Sequence, residues 1–217
     1  MENIIIIGAG QHCDVVLYNM KAQGIYEAVC ICDTDREKCG YVKGNLFIDH
    51  YELTIESLKY LQCKYLTNKF FIGFGAMKYR KYVFDFFKEQ GWKAVNIIHP
   101  DAVVSSETQL GEGVLIEAGC LVTPSPVIGD NVVINTGSQV NHDNIIEDHV
   151  YIASGVILSG GVKIGSNTLL DDGVVVTLGC HVGTNCIIGA GAVVTKNVPD
   201  NVIAYGAPCK VVRSNMY

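Results

Sequence analysis

The sequence predicts a small α/β unit followed by a parallel β-solenoid, because the spacing of its apolar residues changes near residue 98. Before this point, short apolar runs alternate with amphipathic segments, which is the pattern of strands alternating with helices. After it, Ile, Leu or Val recurs at every sixth position without interruption from Ile98 to Val194. An α-helix has a period of about 3.6 residues, so it cannot produce this repeat.

The first unit contains four apolar runs that we predict to be strands and two segments that we predict to be helices. The strands are expected at Asn3–Ile7, Ala28–Cys32, Lys69–Ile72 and Ala94–Ile97. The helices are expected at His12–Ala22 and Met77–Glu89. This order favours a small parallel sheet with helices on its faces. We therefore expect residues 1–97 to form one α/β domain, about half the size of a full dinucleotide-binding domain.

The six-residue repeat predicts a triangular prism in which each unit forms one short strand and one corner. The repeating aliphatic residue points inward, and the position four residues later is mostly small or β-branched, as at Ser138 and Ala192. Three units complete one coil, as indicated by glycines that are 18 residues apart or a multiple of it, namely Gly111, Gly129, Gly165 and Gly183. Each coil buries its edge against the next. We expect this domain to span residues 98–200 and a C-terminal tail, 201–217, to pack on it.

Composition limits the classes of function. The chain has 217 residues and a formal net charge of −6, which gives no basic footprint of a nucleic-acid-binding protein. Its nine cysteines form no CxxC pair and no zinc-like His/Cys cluster, so we expect free thiols in a reducing compartment and no metal site. The four isoleucines after Asn3 are too few for a signal peptide, and no run reaches membrane-spanning length. We expect a cytoplasmic protein with no membrane span.

A glycine turn follows the first predicted strand. Gly8 and Gly10 resemble the start of a dinucleotide-binding fingerprint, but Cys13 stands in place of its third glycine. Asp33 lies about 20 residues further on, where a ribose-binding acid would stand. Because backbone N–H groups and the helix dipole attract phosphate, this turn could hold a phosphate-bearing ligand. The alternative for Asp33 is a turn residue that ends a strand.

His142 and Asp143 follow the inward-pointing Val140, so we predict that they lie at a corner of the prism rather than in its core. Imidazole titrates near neutral pH and can accept a proton from an attacking amine or hydroxyl group. A neighbouring carboxylate can hold the ring. The alternative is a solvated corner histidine.

These motifs resemble the sialic acid O-acetyltransferase/UDP-N-acetylbacillosamine-type N-acetyltransferase family of left-handed β-helix hexapeptide acetyltransferases. The resemblance spans nearly the whole chain and rests on Gly8-Ala9-Gly10-Gln11-His12, Asp33, Gly73-Phe74-Gly75, Ile97-Ile98-His99-Pro100, Asn141-His142-Asp143 and Tyr205-Gly206-Ala207-Pro208-Cys209-Lys210. It implies a left-handed solenoid and a Rossmann-like N-terminal subdomain that holds a nucleotide-sugar. It also implies acetyl-CoA as co-substrate and a homotrimer with active sites between neighbouring solenoids.

The resemblance also implies roles for individual residues. His142 corresponds to the catalytic base and Asp143 to its supporting acid. The positions implied for binding the nucleotide-sugar are Gly10, Gln11, His12, Asp33, Thr34 and Gly75. Gln11 stands where the family usually has a glycine.

The acetyl-CoA contacts of the family correspond to Tyr151, Asp172 and Ala190. Many members carry a second histidine nine residues after the base, where this chain has Tyr151. We expect the nearby His149 to be an exposed turn residue. Lys210 is either a contact for a CoA phosphate or a solvated surface lysine.

We therefore expect an acetyl-CoA-dependent N-acetyltransferase that acts on a nucleotide-linked amino-sugar, such as a UDP-4-amino-sugar, in bacterial surface glycan biosynthesis. The amine attacks directly, His142 takes the proton, Asp143 orients the ring, and backbone donors stabilise the oxyanion. One alternative is O-acetylation of a sialic acid-type sugar. A non-enzymatic sugar-binding scaffold or sensor is disfavoured by the His142–Asp143 pair. An NAD-binding regulatory protein is disfavoured by the missing third glycine and the short domain.

Overall fold

The structure is a computed structural model that describes residues 1–216. The chain divides into two compact units, one spanning Met1–Ile97 and one that begins at Ile98. Among the described residues, no helix has both the length and the apolar content needed to cross a membrane.

The first unit contains a six-stranded sheet with helices. Its strands are β1 (Glu2–Ile7), β2 (Tyr26–Asp33), β3 (Val42–Lys43), β4 (Leu46–His50), β5 (Lys69–Ile72) and β6 (Lys93–Ala94). Its α-helices are α1 (Gln11–Gln23), α2 (Ile55–Tyr65) and α3 (Met77–Glu89), and a 3₁₀-helix spans Arg36–Lys38. The strand order is β3-β4-β2-β1-β5-β6, and neighbours are parallel except in the β3–β4 hairpin.

Strand β1 lies between β2 and β5 in the interior of this sheet. Its residues Ile4 to Ile7 are all buried, as expected of a parallel strand that is covered on both faces. The chain places β2 on one side of β1 and β5 on the other. Ligands of such doubly wound sheets bind where the strand order reverses, outside the carboxyl ends of the strands. An aromatic cluster anchors α3 to the sheet, with the rings of Phe70 and Phe87 4.8 Å apart between centroids and those of Phe87 and Trp92 5.2 Å apart.

Two-residue strands and a C-terminal hairpin build the solenoid. They are β7 (Ile97–Ile98), β8 (Val103–Val104), β9 (Gln109–Leu110), β10 (Leu115–Ile116), β11 (Leu121–Val122), β12 (Val127–Ile128), β13 (Val133–Ile134), β14 (Gln139–Val140), β15 (Ile145–Ile146), β16 (Tyr151–Ile152), β17 (Ile157–Leu158), β18 (Lys163–Ile164), β19 (Leu169–Leu170), β20 (Val175–Val176), β21 (His181–Val182), β22 (Ile187–Ile188), β23 (Val193–Val194), β24 (Val202–Tyr205) and β25 (Lys210–Ser214).

These strands stack into three faces. The first face runs β7-β10-β13-β16-β19-β22 and continues into β24 and β25, the second runs from β8 to β23, and the third runs from β9 to β21. From β8 to β23 the strands pair in parallel with an 18-residue offset, as Val133 does with Tyr151, whereas β24 pairs in parallel with β22 through Ile203 and Ile187, a shorter offset. The pairing of β25 with β24 is antiparallel. The period of 18 residues per coil is therefore confirmed.

The second residue of each solenoid strand points inward. From Ile116 to Val194 these residues are at most 1% exposed. Ile98, Val104 and Leu110 are only partly buried against the same core, because they lie in the first coil, which has a neighbouring coil on one side only.

Each corner of the prism carries a column of residues in the left-handed backbone conformation, which Gly, Asn and Asp adopt most readily. The glycine corner, between the first and second faces, has Gly119, Gly137, Gly155, Gly173 and Gly191. The histidine corner, between the second and third faces, has Ser125, Asp143, Gly161 and Gly179. The asparagine corner, between the third and first faces, has Gly113, Asn131, His149, Asn167, Asn185 and Asn201.

The expectation that His149 is exposed is wrong, although it does lie in a turn. Its side chain replaces an asparagine in the asparagine corner and is 8% exposed. Nδ1 of His149 lies 3.0 Å from Nδ2 of Asn131 in the preceding coil. The polar side chains of this corner bond to one another from coil to coil, as Asn167 does to Asn185 at 3.1 Å. The hydrogen bond to Asn131 and the coils on either side therefore bury His149.

Candidate functional site

His142 and Asp143 lie at the histidine corner, between β14 and β15. Nδ1 of His142 is 2.8 Å from Oδ2 of Asp143, and the two side chains are 61% and 69% exposed. The backbone of Asp143 is fixed in the left-handed conformation, with φ of 58°, and its N–H donates to the carbonyl of Pro124 at 3.3 Å. The carboxylate thus engages Nδ1 and leaves Nε2 as the ring nitrogen that can exchange a proton with a substrate.

The backbone around His142 is held by the coils on either side. The His142 carbonyl accepts a hydrogen bond from the N–H of Gly161 at 2.9 Å, and Nδ2 of Asn141 donates to the carbonyl of Leu158 at 2.8 Å. The imidazole ring lies over Gly160 of the next coil. An exposed side chain is therefore carried by a rigid backbone, as general base catalysis requires.

A second candidate site lies in the first unit, at the carboxyl ends of β1, β2 and β5. A pocket of about 510 Å³ opens there. Gly10, Asp33 and Thr34 line it, whereas Gln11, His12 and Gly75 are not among its lining residues. Sequence reasoning missed its other polar and aromatic lining residues, which are Lys38, Tyr51, Phe74, Tyr79 and Tyr82. The pocket is at the sheet edge where doubly wound folds bind their ligands.

Asp33 fastens the glycine turn to the end of β2. Its Oδ2 accepts a hydrogen bond from the N–H of Ala9 at 2.8 Å, and its Oδ1 accepts one from the N–H of Asp35 at 2.9 Å. The ammonium group of Lys38 lies 3.8 Å from Oδ2 and 3.2 Å from the Asp35 carboxylate. Asp33 therefore ends strand β2 and also lines the pocket.

The start of α1 faces this pocket through Gly10. Gly10 is the N-cap residue of α1, and no side chain caps the helix there. The first N–H groups of a helix carry partial positive charge and attract anions. This end of α1 can therefore contribute to holding a phosphate group.

Arg80 is a further residue that sequence reasoning missed. Its guanidinium is 1% exposed and donates through Nη1 to the carbonyls of Ile72 and Phe74, at 3.0 and 3.1 Å. It thereby fixes the loop after β5, which packs so tightly on the glycine turn that a Cβ at Gly8 would lie 2.6 Å from Cδ1 of Phe74. The available signal was its position on the buried face of α3, one turn before Val83 and Phe84.

His12 lies in the first turn of α1 and is partly buried. Burial, assisted by the positive charge of Arg80, lowers the pKa of His12 to about 4. The ring is therefore neutral near pH 7.

The residues expected to contact acetyl-CoA lie on another part of the solenoid from His142. Asp172 and Ala190 occupy equivalent positions of the glycine corner in consecutive coils, and Tyr151 lies on the first face. The Tyr151 hydroxyl accepts a hydrogen bond from Nδ2 of Asn135 at 3.2 Å. Since a coil has 18 residues, Tyr151 is half a coil away from His142 along the chain. One solenoid therefore does not bring His142 together with these three residues.

The remaining candidate groups are Lys210 and the cysteines of the solenoid. Lys210 is exposed at the start of β25. Cys120, Cys180 and Cys186 are buried, and burial raises the pKa of Cys120 to about 11, which makes it a poor nucleophile. No cluster of three or more metal-binding side chains occurs in residues 1–216.

Comparison with known proteins places the chain among acetyltransferases. Residues 3–87 match the family described as PglD N-terminal domain, and residues 161–196 match the family described as bacterial transferase hexapeptide (six repeats). A comparison with curated proteins found no match.

Several solved structures resemble the whole chain. A histidine variant of perosamine N-acetyltransferase from Caulobacter crescentus, in complex with CoA and GDP-perosamine, is 32% identical with a TM-score of 0.89, and the match covers 98% of this chain and 97% of that one. The acetyltransferase domain of PglB from Neisseria gonorrhoeae FA1090, in complex with acetyl coenzyme A, is 29% identical with a TM-score of 0.86, and the match covers 97% and 99% of the two chains.

These similarities confirm the expected fold class, a Rossmann-like subdomain followed by a left-handed β-helix of hexapeptide repeats. They also confirm the expected chemistry, transfer of an acetyl group from acetyl-CoA. The chain therefore belongs to the UDP-N-acetylbacillosamine-type N-acetyltransferase family of hexapeptide acetyltransferases.

Proposed function

We propose that this acetyltransferase N-acetylates the amino group of a nucleotide-linked amino-sugar, with His142 as the general base. The observation that carries the proposal is the 2.8 Å pairing of His142 with Asp143 at an exposed corner of the solenoid. The acceptor class is supported by the Caulobacter enzyme, a perosamine N-acetyltransferase bound to GDP-perosamine. Structures of that enzyme include variants in which one histidine is replaced by asparagine or alanine.

In the proposed reaction, the neutral amine attacks the thioester carbonyl carbon of acetyl-CoA directly. Nε2 of His142 accepts the proton that the nitrogen loses as the C–N bond forms. Asp143 holds Nδ1 and stabilises the imidazolium, and backbone N–H groups stabilise the oxyanion. The C–S bond then breaks, and His142 returns the proton to the departing thiolate of CoA. The base is restored, and no cysteine carries the acetyl group.

We assign the nucleotide-sugar to residues 1–97 and acetyl transfer to residues 98–200, with residues 201–217 as a closing tail. Support for the first assignment comes from the pocket at the carboxyl ends of β1, β2 and β5, which combines the start of α1 with Lys38 and aromatic rings. The helix start and the ammonium group suit a diphosphate, and the rings suit a nucleobase. Gln11, His12 and Gly75 remain proposed binding residues that flank the lining.

We also propose a homotrimer in which the histidine corner of one solenoid faces the glycine corner of the next. The support is geometric, since Tyr151 lies half a coil from His142 and a single solenoid exposes the two on different sides. A neighbouring subunit would supply Tyr151, Asp172 and Ala190 to complete the acetyl-CoA site. Cyclic trimers bring two different surface patches into contact in this way.

We place the protein in the cytoplasm, in bacterial surface glycan biosynthesis. The support is chemical, because both proposed substrates are activated metabolites. Acetyl-CoA is a thioester, and a nucleotide-linked sugar is a glycosyl donor for later assembly steps.

The test is an assay of acetyl-CoA consumption against matched acceptors. The panel contains UDP- and GDP-linked 4-amino-sugars, the same nucleotides carrying a 4-hydroxy sugar, and free sialic acids, with products identified by mass spectrometry and NMR. We expect a new amide on an amino-sugar and no turnover of its hydroxyl counterpart. An acetyl ester on a sialic acid would support the O-acetyltransferase alternative instead. Tight sugar binding without any turnover would support a sensor.

A further inference from the structure

Gly160 lies directly beneath the imidazole ring of His142. It occupies the histidine corner of the next coil, between β17 and β18. A Cβ built on Gly160 would lie 2.4 Å from Cε1 and 2.4 Å from Nε2 of His142, and 3.1 Å from Cδ2. Real Cβ atoms essentially never come within 3.0 Å of a heavy atom to which they are not bonded, so either the ring or the backbone would have to shift. No residue other than glycine is therefore compatible with the ring in this position.

The solenoid itself does not require glycine at this position. Gly160 is outside the left-handed region, which its neighbour Gly161 occupies with φ of 65°. The equivalent positions of other coils carry large side chains, namely Pro124 and Leu178. A side chain is thus tolerated at this corner wherever no histidine ring lies above it.

Burial supports the same interpretation. Gly160 is buried, whereas Leu178, the equivalent residue one coil further on, is 73% exposed. The three atoms closest to a Cβ at Gly160 all belong to the His142 ring. The ring therefore covers Gly160, and Gly160 forms a flat floor beneath a side chain that is otherwise exposed.

We propose that Gly160 is a positioning residue for His142. Without the floor contact, an exposed histidine would exchange between rotamers and lose the arrangement that pairs Nδ1 with Asp143 and presents Nε2 to the substrate. A base that is displaced by about 1 Å can lose about a hundredfold in rate. The inference rests on the proposed role of His142 and adds to it a residue one coil away.

The first test is the kinetics of Gly160→Ala. Alanine keeps the backbone N–H, so the only change is a methyl group added beneath the His142 ring. We expect kcat to fall by at least about tenfold while KM for each substrate changes by less than about threefold, because the base is misplaced but the binding residues are intact. Leu178→Ala, at the equivalent corner position one coil away, serves as the control and should keep kcat near that of the wild type.

The second test is a double-mutant cycle on melting temperature, which needs no turnover. Alanine at an ordinary backbone conformation stabilises a protein relative to glycine by restricting the unfolded chain. We expect Gly160→Ala to raise the melting temperature in a His142→Ala background and to raise it less, or lower it, when the ring is present.

Wild-type kcat in Gly160→Ala, or equal temperature shifts in the two backgrounds, would overturn the inference. Failure of the proposed function can be distinguished from failure of this inference. The wild-type protein would acetylate no amino-sugar in the acceptor panel, while the melting cycle would still report whether the ring and Gly160 are coupled.

Discussion

The Asp143 carboxylate engages Nδ1 of His142 at 2.8 Å, on a backbone that the left-handed turn holds in place. The N–H of Asp143 donates to the carbonyl of Pro124 at 3.3 Å, so the preceding coil also holds this turn.

Replacing Asp143 by asparagine should lower kcat by about ten- to a hundredfold without unfolding the protein. Asparagine adopts the left-handed conformation as readily as aspartate, so the turn is kept and only the charge is removed. The neutral amide stabilises an imidazolium poorly. Steady-state kinetics together with the melting temperature check this, and an unchanged kcat would show that the carboxylate plays no part.

Mixing two inactive variants should restore activity if the site is shared between subunits. One variant is His142→Ala, and the other is Ala190→Trp, which places a large ring on the exposed glycine corner where acetyl-CoA is proposed to lie. Mixed trimers would contain interfaces in which both contributing residues are native. The measurement is acetyl transfer after the two chains are unfolded and refolded together.

Each variant refolded alone is the control for this experiment and should stay inactive. No recovery in mixtures that are shown to be trimers would contradict a shared site. A monomer in sedimentation experiments would contradict the trimer itself.

Asp33→Ala should weaken nucleotide-sugar binding and leave acetyl-CoA binding unchanged. The two hydrogen bonds from Ala9 and Asp35 are lost, and hydrogen bonds to a charged group contribute about 1.5–3 kcal/mol each. The glycine turn should therefore loosen at the mouth of the pocket. Calorimetric titration with each substrate checks this.

Asp85→Ala, at an exposed ion pair with Lys81 on α3, is the matched control and should bind both substrates normally. Equal loss of both substrates in Asp33→Ala would indicate general unfolding instead.

The stability of the first unit should fall on acidification because of His12. Burial lowers its folded-state pKa to about 4, below the value of 6.5 for the free group. Between these values the unfolded chain binds more protons, so stability is lost as pH falls from about 6.5 to about 4, by at most about 3 kcal/mol. The measurement is the free energy of unfolding in urea at about pH 7 and about pH 4.5.

His12→Asn is the comparison for this prediction, because asparagine does not titrate in this range. The wild type should lose more stability than the variant on acidification. A parallel loss in both proteins would contradict a buried neutral histidine.

The solenoid could be predicted from the sequence because every coil imposes the same constraint. One aliphatic residue in six must point inward, so the sequence also indicates which residues face out, including His142. His149 shows the limit of this reasoning. The period places it in a turn, but its burial depends on hydrogen bonds to a neighbouring coil, which no local pattern reveals.

The first unit was harder to predict because its elements are short and irregular. Helix α2 buries only Leu58 and Leu61, so its apolar periodicity is weak, and the two strands of the β3–β4 hairpin are short edge elements. Strand β5 and helix α3 were predicted with the bounds that the structure has.

For the candidate sites too, contacts between residues adjacent in sequence could be predicted and contacts between distant residues could not. His142 and Asp143 are adjacent in sequence, and their pairing could be anticipated. The contacts of Arg80 with the loop after β5, and of Gly160 with His142, depend on how the chain folds back on itself. For Gly160 a signal did exist, since it follows His142 by the length of one coil.

The most direct test of the central claim is transfer of an isotopically labelled acetyl group from acetyl-CoA to a nucleotide-linked amino-sugar, measured with the wild type and with His142→Ala. We predict that the label appears as an amide on the sugar and that the rate falls by at least about a hundredfold in the variant, while acetyl-CoA still raises the melting temperature of both proteins. A variant that transfers the label at the wild-type rate would contradict His142 as the base, and the absence of labelled amide with the wild type would contradict the proposed reaction.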